Sequence, residues 1–256
     1  MTDAITADGL TKRYGDTVAV DDLDLGIDEG AIFGFLGPNG AGKTTTMRLL
    51  TGLSDPTSGH AEVCGEPVTD RRALVDAIGY LPEEPPIYDE FSAREQLEYV
   101  ADVRGLPAEQ SADAIQSYLE RFDLAEDADR RIGSYSKGMK QKTAFIQTVL
   151  HDPAVLFLDE PTSGLDPRAA RRIREAIASF ADAGTTVFLS THILPVVEEV
   201  ADTVGVLYDG RLVAEGSSAE LKERAETGEG GTLEDAFLAV TNDESATSPP
   251  DSDEGA

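Results

Sequence analysis

Nine consecutive residues carry the clearest chemistry in this chain: Gly37-Pro38-Asn39-Gly40-Ala41-Gly42-Lys43-Thr44-Thr45. They fit G-x-x-x-x-G-K-[ST], a spacing that builds a phosphate-binding loop. Glycines let successive backbone N–H groups turn inward around a β-phosphate, and the start of a following helix adds partial positive charge. Lys43 would bridge β- and γ-phosphates, and Thr44 would offer its hydroxyl to Mg²⁺. Such a loop needs a strand before it and a helix after it. Residues 31–36 are a short apolar run that reads as a buried strand. Residues 45–53 read as a helix, with Met47, Leu49 and Leu50 as its apolar contacts.

Further candidates lie downstream. Residues 154–158 are apolar and lead directly into Asp159 and Glu160. That pattern predicts a second buried strand with acids at its C-terminal end, where open α/β sheets place their ligands. Asp159 is positioned to hold Mg²⁺, directly or through water, and Glu160 to polarise an attacking water as general base. The bland alternative is a strand end with solvated acids. A third buried strand at 185–190 ends near His192, which is either structural or within reach of a γ-phosphate. Ser136 stands where a helix N-cap would, ahead of the apolar stripe Phe145, Ile146, Val149 and Leu150. It is either an ordinary cap or part of an anion site. Tyr14 either stacks on a nucleotide base or serves a strand.

The balance of 21 basic against 49 acidic residues leaves a net charge of −28. That argues against general affinity for nucleic acid or an anionic membrane. The acids are spread along the chain, and lysine is scarcer than arginine. We read this as a halophilic protein kept soluble in concentrated salt; an ordinary acidic protein is the alternative. Cys64 is the single cysteine, so no internal disulfide forms, and it is expected to pack as a small apolar residue. The first residues show no signal-peptide pattern. No apolar run approaches the ~18 residues that span a bilayer. A cytosolic protein that is not itself a channel is expected.

The elements that must position these residues follow in order. Leu23, Leu25 and Ile27 alternate as in a half-buried strand. Residues 54–59 are a turn cluster. A short strand at 77–81 is stopped by Pro82, and Glu83-Glu84-Pro85-Pro86 is a loop. From about 91 to 150 the pattern is helical. Ser92 and Glu95 have capping-box spacing, Gly105 and Pro107 separate two helices, and Ile115, Tyr118, Leu119 and Phe122 share one face. This region reads as a helical lobe inserted into an α/β core. Asp166 and Pro167 open another helix as N-cap and first residue, with Ile173, Ile177 and Phe180 inward and Gly184 at its end. Asp209-Gly210 turns a hairpin. Residues 232–241 form a short amphipathic piece, and 242–256 are expected to be a disordered acidic tail.

Taken together, in this order, the motifs resemble the ATP-binding subunit of an ABC transporter over roughly residues 4–241. Tyr14 matches the family's adenine-stacking aromatic and Gly37 to Thr45 its Walker A loop. Tyr135-Ser136-Lys137-Gly138-Met139 matches the signature usually seen as Leu-Ser-Gly-Gly-Gln. Val155 to Glu160 matches Walker B, Ser163 to Asp166 the D-loop, and His192 the switch histidine. The resemblance implies a P-loop NTPase (RecA-like) α/β core with an N-terminal antiparallel β subdomain and an inserted helical subdomain. The implied ATPase domain covers 1–241: core 1–86 and 151–221, helical subdomain 87–150, C-terminal extension 222–241.

It implies ATP and Mg²⁺ as cofactors and a second copy of the chain as partner, joined head to tail. In that sandwich Ser136, Gly138 and Asp166 join the ATP-binding set, Lys43, Glu160 and His192 form the catalytic set, and Thr44, Asp159 and Glu83 meet the metal. It also implies an integral-membrane permease, with the chain peripheral on the cytoplasmic face. Two departures stand out. Glu83 replaces the usual Gln, and Lys137 and Met139 replace Gly and Gln in the signature. Both, together with residues 232–238, resemble an export-type subclass with a separately encoded permease. The competing readings are a family ATPase acting on ribosomes or DNA, a nucleotide-gated regulatory subunit, and a small-molecule kinase. The first usually carries two ATPase units or a long coiled coil. The second does not need Glu160 and His192 together, and the third does not need Ser136-Lys137-Gly138.

Overall fold

The computed structural model describes residues 2–225 together with Glu234, Phe237 and Leu238. The chain opens with two long antiparallel strands, β1 (Asp3–Tyr14) and β2 (Thr17–Asp28), with Tyr14 opposite Thr17. Along β2, Leu23, Leu25 and Ile27 turn inward while Asp24, Gly26 and Asp28 face water. A sheet covered on one face alternates in this way. By contrast, β3 (Ile32–Leu36) is buried at every position, as expected for a strand covered on both faces. The phosphate loop follows, and then α1 (Lys43–Leu50). Strands β4 (Ser58–Val63) and β5 (Glu66–Pro67) complete an antiparallel sheet in the order β2-β1-β4-β5.

After α2 (Arg71–Leu74) comes β6 (Ile78–Leu81). Three helices follow, α3 (Ala93–Val103), α4 (Ala108–Arg121) and α5 (Lys137–Val149), with short 3-10 turns at Ala125–Asp127 and Ile132–Ser134. The rest alternates as β7 (Val155–Asp159), α6 (Pro167–Asp182), β8 (Thr186–Thr191) and α7 (Leu194–Val200). A hairpin of β9 (Thr203–Tyr208) and β10 (Arg211–Gly216) leads to α8 (Ser218–Ala225). The second sheet runs β10-β9-β3-β8-β7-β6, parallel throughout except for β10.

Both expected capping devices are present. The Ser92 hydroxyl accepts from the Glu95 N–H, and the Glu95 carboxylate accepts from the Ser92 N–H. The Asp166 carboxylate accepts from the N–H groups of Arg168 and Ala169, with Pro167 opening the helix. Separate apolar clusters cover the two faces of the parallel sheet. Phe33, Phe35, Phe157 and Phe188 cluster on the side facing the antiparallel sheet, ring centroids 5.1–6.3 Å apart. On the other side Leu97, Ile115, Leu119, Phe122 and Phe145 join the three helices to Leu156 and Leu158.

Three expectations need correction. The helix after the phosphate loop spans Lys43–Leu50, not 45–53. It begins early because Thr46 already donates to the Gly42 carbonyl (2.9 Å). It stops because Gly52 closes a turn on Leu49 (3.0 Å), leaving Leu53 exposed. Ser58 and Gly59 open β4 instead of belonging to the preceding turn. Cys64 is exposed, not packed. It sits between β4 and β5 with φ 55°, followed by Gly65 at φ 76°, and this tight left-handed reversal turns the thiol away from the core. The amphipathic reading of 232–241 falls outside the described residues except at Glu234, Phe237 and Leu238, and the tail at 242–256 lies wholly outside them.

Candidate active site

Parallel register assembles the site. Leu36 of β3 is level with Thr191 of β8, and Asp159 of β7 with Ser190 of the same strand. The C-terminal ends of these neighbouring strands therefore deliver the phosphate loop, the two acids and His192 to one edge. Pro82 ends β6 beside β7 and brings Glu83 there too. A cavity of about 470 Å³ is lined by Asn39, Gly40, Gly42, Lys43, Thr44 and Thr45 from the loop, and by Glu83, Asp159, Glu160, Ser163 and His192.

The first turn of α1 has no side-chain cap and no acid of its own, so no side chain of the helix itself occupies its leading N–H groups. Lys43 is buried. Its ammonium donates to the carbonyls of Gly37 (2.7 Å) and Pro38 (3.1 Å) and lies 4.0 Å from Glu160 Oε1. Burial lowers its pKa, opposed by the charges of Glu160, Asp159 and Glu83. Asp159 is almost fully buried and accepts from the hydroxyls of Thr44 (2.9 Å) and Ser190 (2.8 Å). The Glu160 carboxylate accepts from the Thr191 hydroxyl (3.0 Å) at Oε2 and from the His192 N–H (2.9 Å) at Oε1. His192 Nδ1 is 2.7 Å from the same Oε1. Glu160 adopts φ 48° while its N–H stays paired with the Ser190 carbonyl (2.9 Å). A left-handed residue of this kind costs on the order of 1–3 kcal/mol and persists only where surrounding contacts hold it.

The sequence marks Ser190 only as the end of a strand and gives Thr191 no role. Their signal was the Ser-Thr-His ending of a strand level with Asp159, but pairing order is not written in a strand. Gln141 was missed as well. It donates to the Pro161 carbonyl (3.1 Å) and so ties α5 to the loop after Glu160.

Some anticipated residues lie elsewhere. Tyr14 is half-exposed at the end of β1, with the Lys12 ammonium over its ring at 5.1 Å, and it does not line this cavity. Ser136, Gly138 and Asp166 line a second cavity of about 560 Å³, with Lys142, Arg168 and Arg172 on its walls. There Ser136 caps α5 by accepting from the Met139 N–H (3.2 Å). The Ala169 and Arg168 N–H groups hold the Asp166 carboxyl below its usual pKa.

A buried strand, a glycine loop with its lysine, and acids at the end of a parallel strand one place removed in the sheet define a phosphate-loop nucleoside triphosphatase. Comparison with known proteins narrows the class. Residues 20–163 match the family model described as ABC transporter. The chain is 42% identical over 226 residues to the daunorubicin resistance ATP-binding protein DrrA3 of Streptomyces coeruleorubidus, covering 88% of this chain and 71% of that one. It is 39% identical over 222 residues to the Nod factor export ATP-binding protein I of Cupriavidus metallidurans, covering 86% and 73%. Among solved structures, an ATP-binding subunit of an ABC transporter superposes with a TM-score of 0.85 at 28% identity, covering 93% and 99%. The chain belongs to the ABC transporter ATP-binding family. It is an ATP-binding subunit whose ATPase activity is coupled to transport.

Proposed function

We propose that two copies of this chain close head to tail around two MgATP, and that the closure drives an integral-membrane permease in the export direction. The observation that carries the dimer is the separation of the two cavities. The phosphate cavity and the Ser136 cavity share no lining residue within one chain. In this reading a signature that meets a γ-phosphate meets that of another copy. Tyr14 would stack on the adenine, and Ser136, Gly138 and Asp166 would act across the seam. The export direction is supported by the relatives, one named for drug resistance and one for Nod factor export. Among the described residues no helix is long and apolar enough to cross a membrane. In this reading the permease holds the chain at the cytoplasmic face. The division into core 1–86 and 151–221, helical lobe 87–150 and extension 222–241 belongs to the same reading.

The chemistry is hydrolysis of the γ-phosphoryl group. Lys43 would leave the Gly37 and Pro38 carbonyls for β- and γ-phosphate oxygens. Glu160 would accept a proton from the attacking water as its oxygen bonds to the γ-phosphorus, the bond to the bridging oxygen breaks, and ADP leaves. Thr191 and His192 hold the Glu160 carboxylate in place. Among the described residues no three His, Cys, Asp or Glu form a metal site by themselves, but Thr44, Asp159 and Glu83 offer hard oxygen donors beside the loop. These suit Mg²⁺ arriving with phosphate oxygens, and the ion would neutralise charge on the transferred group.

The test uses Glu160→Gln, which should bind ATP without turning it over. Light scattering in KCl should show an ATP-dependent shift from monomer to dimer, abolished by Ser136→Phe. A monomer at every ATP concentration would remove the support for the composite site. Retention of the chain on membranes bearing its permease would test the second partner.

A further inference from the structure

Glu160 sits on an unfavourable stretch of backbone. Its φ of 48° is left-handed for a residue with a side chain, and Pro161 follows it. Such a conformation persists only where the surroundings over-determine it. Inside the loop, the Glu160 carbonyl accepts from the Ser163 N–H (3.1 Å) and the Thr162 carbonyl from the Leu165 N–H (3.3 Å). Among the described residues, two hydrogen bonds tie the backbone of residues 160–163 to the rest of the molecule. One joins the Glu160 N–H to the Ser190 carbonyl (2.9 Å). The other joins the Pro161 carbonyl to the side-chain amide of Gln141 (3.1 Å). Proline has no N–H, so this buried carbonyl is the one backbone group that Pro161 can pair. The Thr162 hydroxyl beside it is buried without a partner and adds no second tie.

Gln141 is itself held from behind. It is 7% exposed on α5. One residue on, Lys142 donates to the Phe122 carbonyl (2.8 Å) at the end of α4, and further along Gln147 accepts from Gln96 of α3 (3.0 Å). Ala144, Phe145 and Ile146 share an apolar cluster with Leu97 of α3 and Leu119 of α4. Helix α5 is thus fixed to two other helices, and Gln141 reaches from it to the peptide after the glutamate. Resting on the reading of Glu160 as general base, we propose that Gln141 is a positioning residue for hydrolysis. Its amide pins the Pro161 carbonyl to α5 and so keeps the Glu160 carboxylate aimed at the attacking water. It acts on the chemical step and not on nucleotide binding, because Gln141 lines neither cavity and the phosphate loop lies on another segment.

The test compares Gln141→Met, which keeps the length and removes the donor, with Gln141→Glu, which keeps the shape and as a carboxylate presents no N–H. Each should lower kcat about ten- to hundredfold, the order expected for a misplacement near 1 Å, with KM and the Kd for ATP within about twofold of wild type. Assays run at a temperature where calorimetry shows each variant folded. The deciding readout is single-turnover hydrolysis in the Glu160→Gln background. A residue that works through Glu160 has nothing left to position there, so Gln141→Met should add less than about a twofold loss, the non-additivity of coupled residues. A residue that only supports the fold would cost the same in both backgrounds.

Wild-type kcat in both variants would overturn the proposal. A raised Kd with kcat unchanged would assign the bond to nucleotide binding and overturn it too, as would equal losses in both backgrounds. In each of these cases Glu160→Gln stays nearly inactive and the general-base reading stands. Wild-type turnover by Glu160→Gln would remove that reading and this proposal together.

Discussion

Gly37 opens the phosphate loop, and adding one methyl group there probes how tightly the loop is held. A Cβ on Gly37 would stand 2.5 Å from the Leu207 carbonyl oxygen and 3.2 Å from the Ala41 side chain. Its backbone is outside the left-handed region, so the penalty is steric and not conformational. Ordinary contact begins near 3.4 Å. The loop or strand β9 must therefore separate by roughly 0.9 Å (3.4 − 2.5), because the backbone carbonyl of a sheet strand cannot swing aside as the end of a flexible side chain can. Overpacking of this kind costs about 1–3 kcal/mol, a fall in Tm of about 2–12 °C for a domain of this size. The displaced group also carries the carbonyl that Lys43 uses at 2.7 Å. A misplacement near 1 Å costs on the order of 10²-fold in rate. Gly37→Ala should then melt lower, bind ATP weakly and lose about that much turnover, measured by calorimetry, fluorescent-nucleotide titration and phosphate release. Gly105→Ala, away from both cavities, is the control. Its φ is +68°, but no heavy atom lies within 4 Å of the added methyl. It should show only the left-handed penalty of roughly 1–2 kcal/mol. Gly37→Ala with turnover and Tm equal to wild type would refute the steric argument.

Two further outcomes follow from the site. Burial, reinforced by Asp159 and eased by Arg48, pushes the Tyr80 hydroxyl up to about 12 from 10. A raised folded-state pKa means its contribution is fully present below pH 10 and is lost as pH rises to about 12. Two units correspond to about 2–3 kcal/mol, so urea unfolding at stepped pH should fall more steeply for wild type than for Tyr80→Phe across that window, and parallel curves would count against it. Thr191→Val should leave a Glu160 oxygen and the Ile193 N–H without their buried partner, costing about 1–3 kcal/mol and lowering turnover while ATP affinity holds; unchanged turnover would show that Glu160 needs no such positioning.

Much of the site was legible because local chemistry dictates it. The phosphate loop is contiguous, and its glycines, lysine and threonine act within one strand–loop–helix unit. Asp159 and Glu160 announce themselves by ending an apolar run, and Ser92, Ser136 and Asp166 by preceding helices as caps. Those motifs depend on neighbours a few residues away, so spacing alone carries them. Cys64 was misread because its exposure follows from a two-residue left-handed turn, which an isolated cysteine does not signal. Short strands such as β4 hid among turn residues, since pairing with β1 and not propensity makes them strands. The strand order β3-β8-β7 was invisible, because parallel pairing is set by burial of both sheet faces across the whole chain. Only that order brings Ser190 and Thr191 onto Asp159 and Glu160. It also gives Glu160 its left-handed backbone and leaves the Ser136 cavity apart from the phosphate cavity. The residues able to do the chemistry were written locally. Their mutual distances came from contacts between segments far apart in sequence.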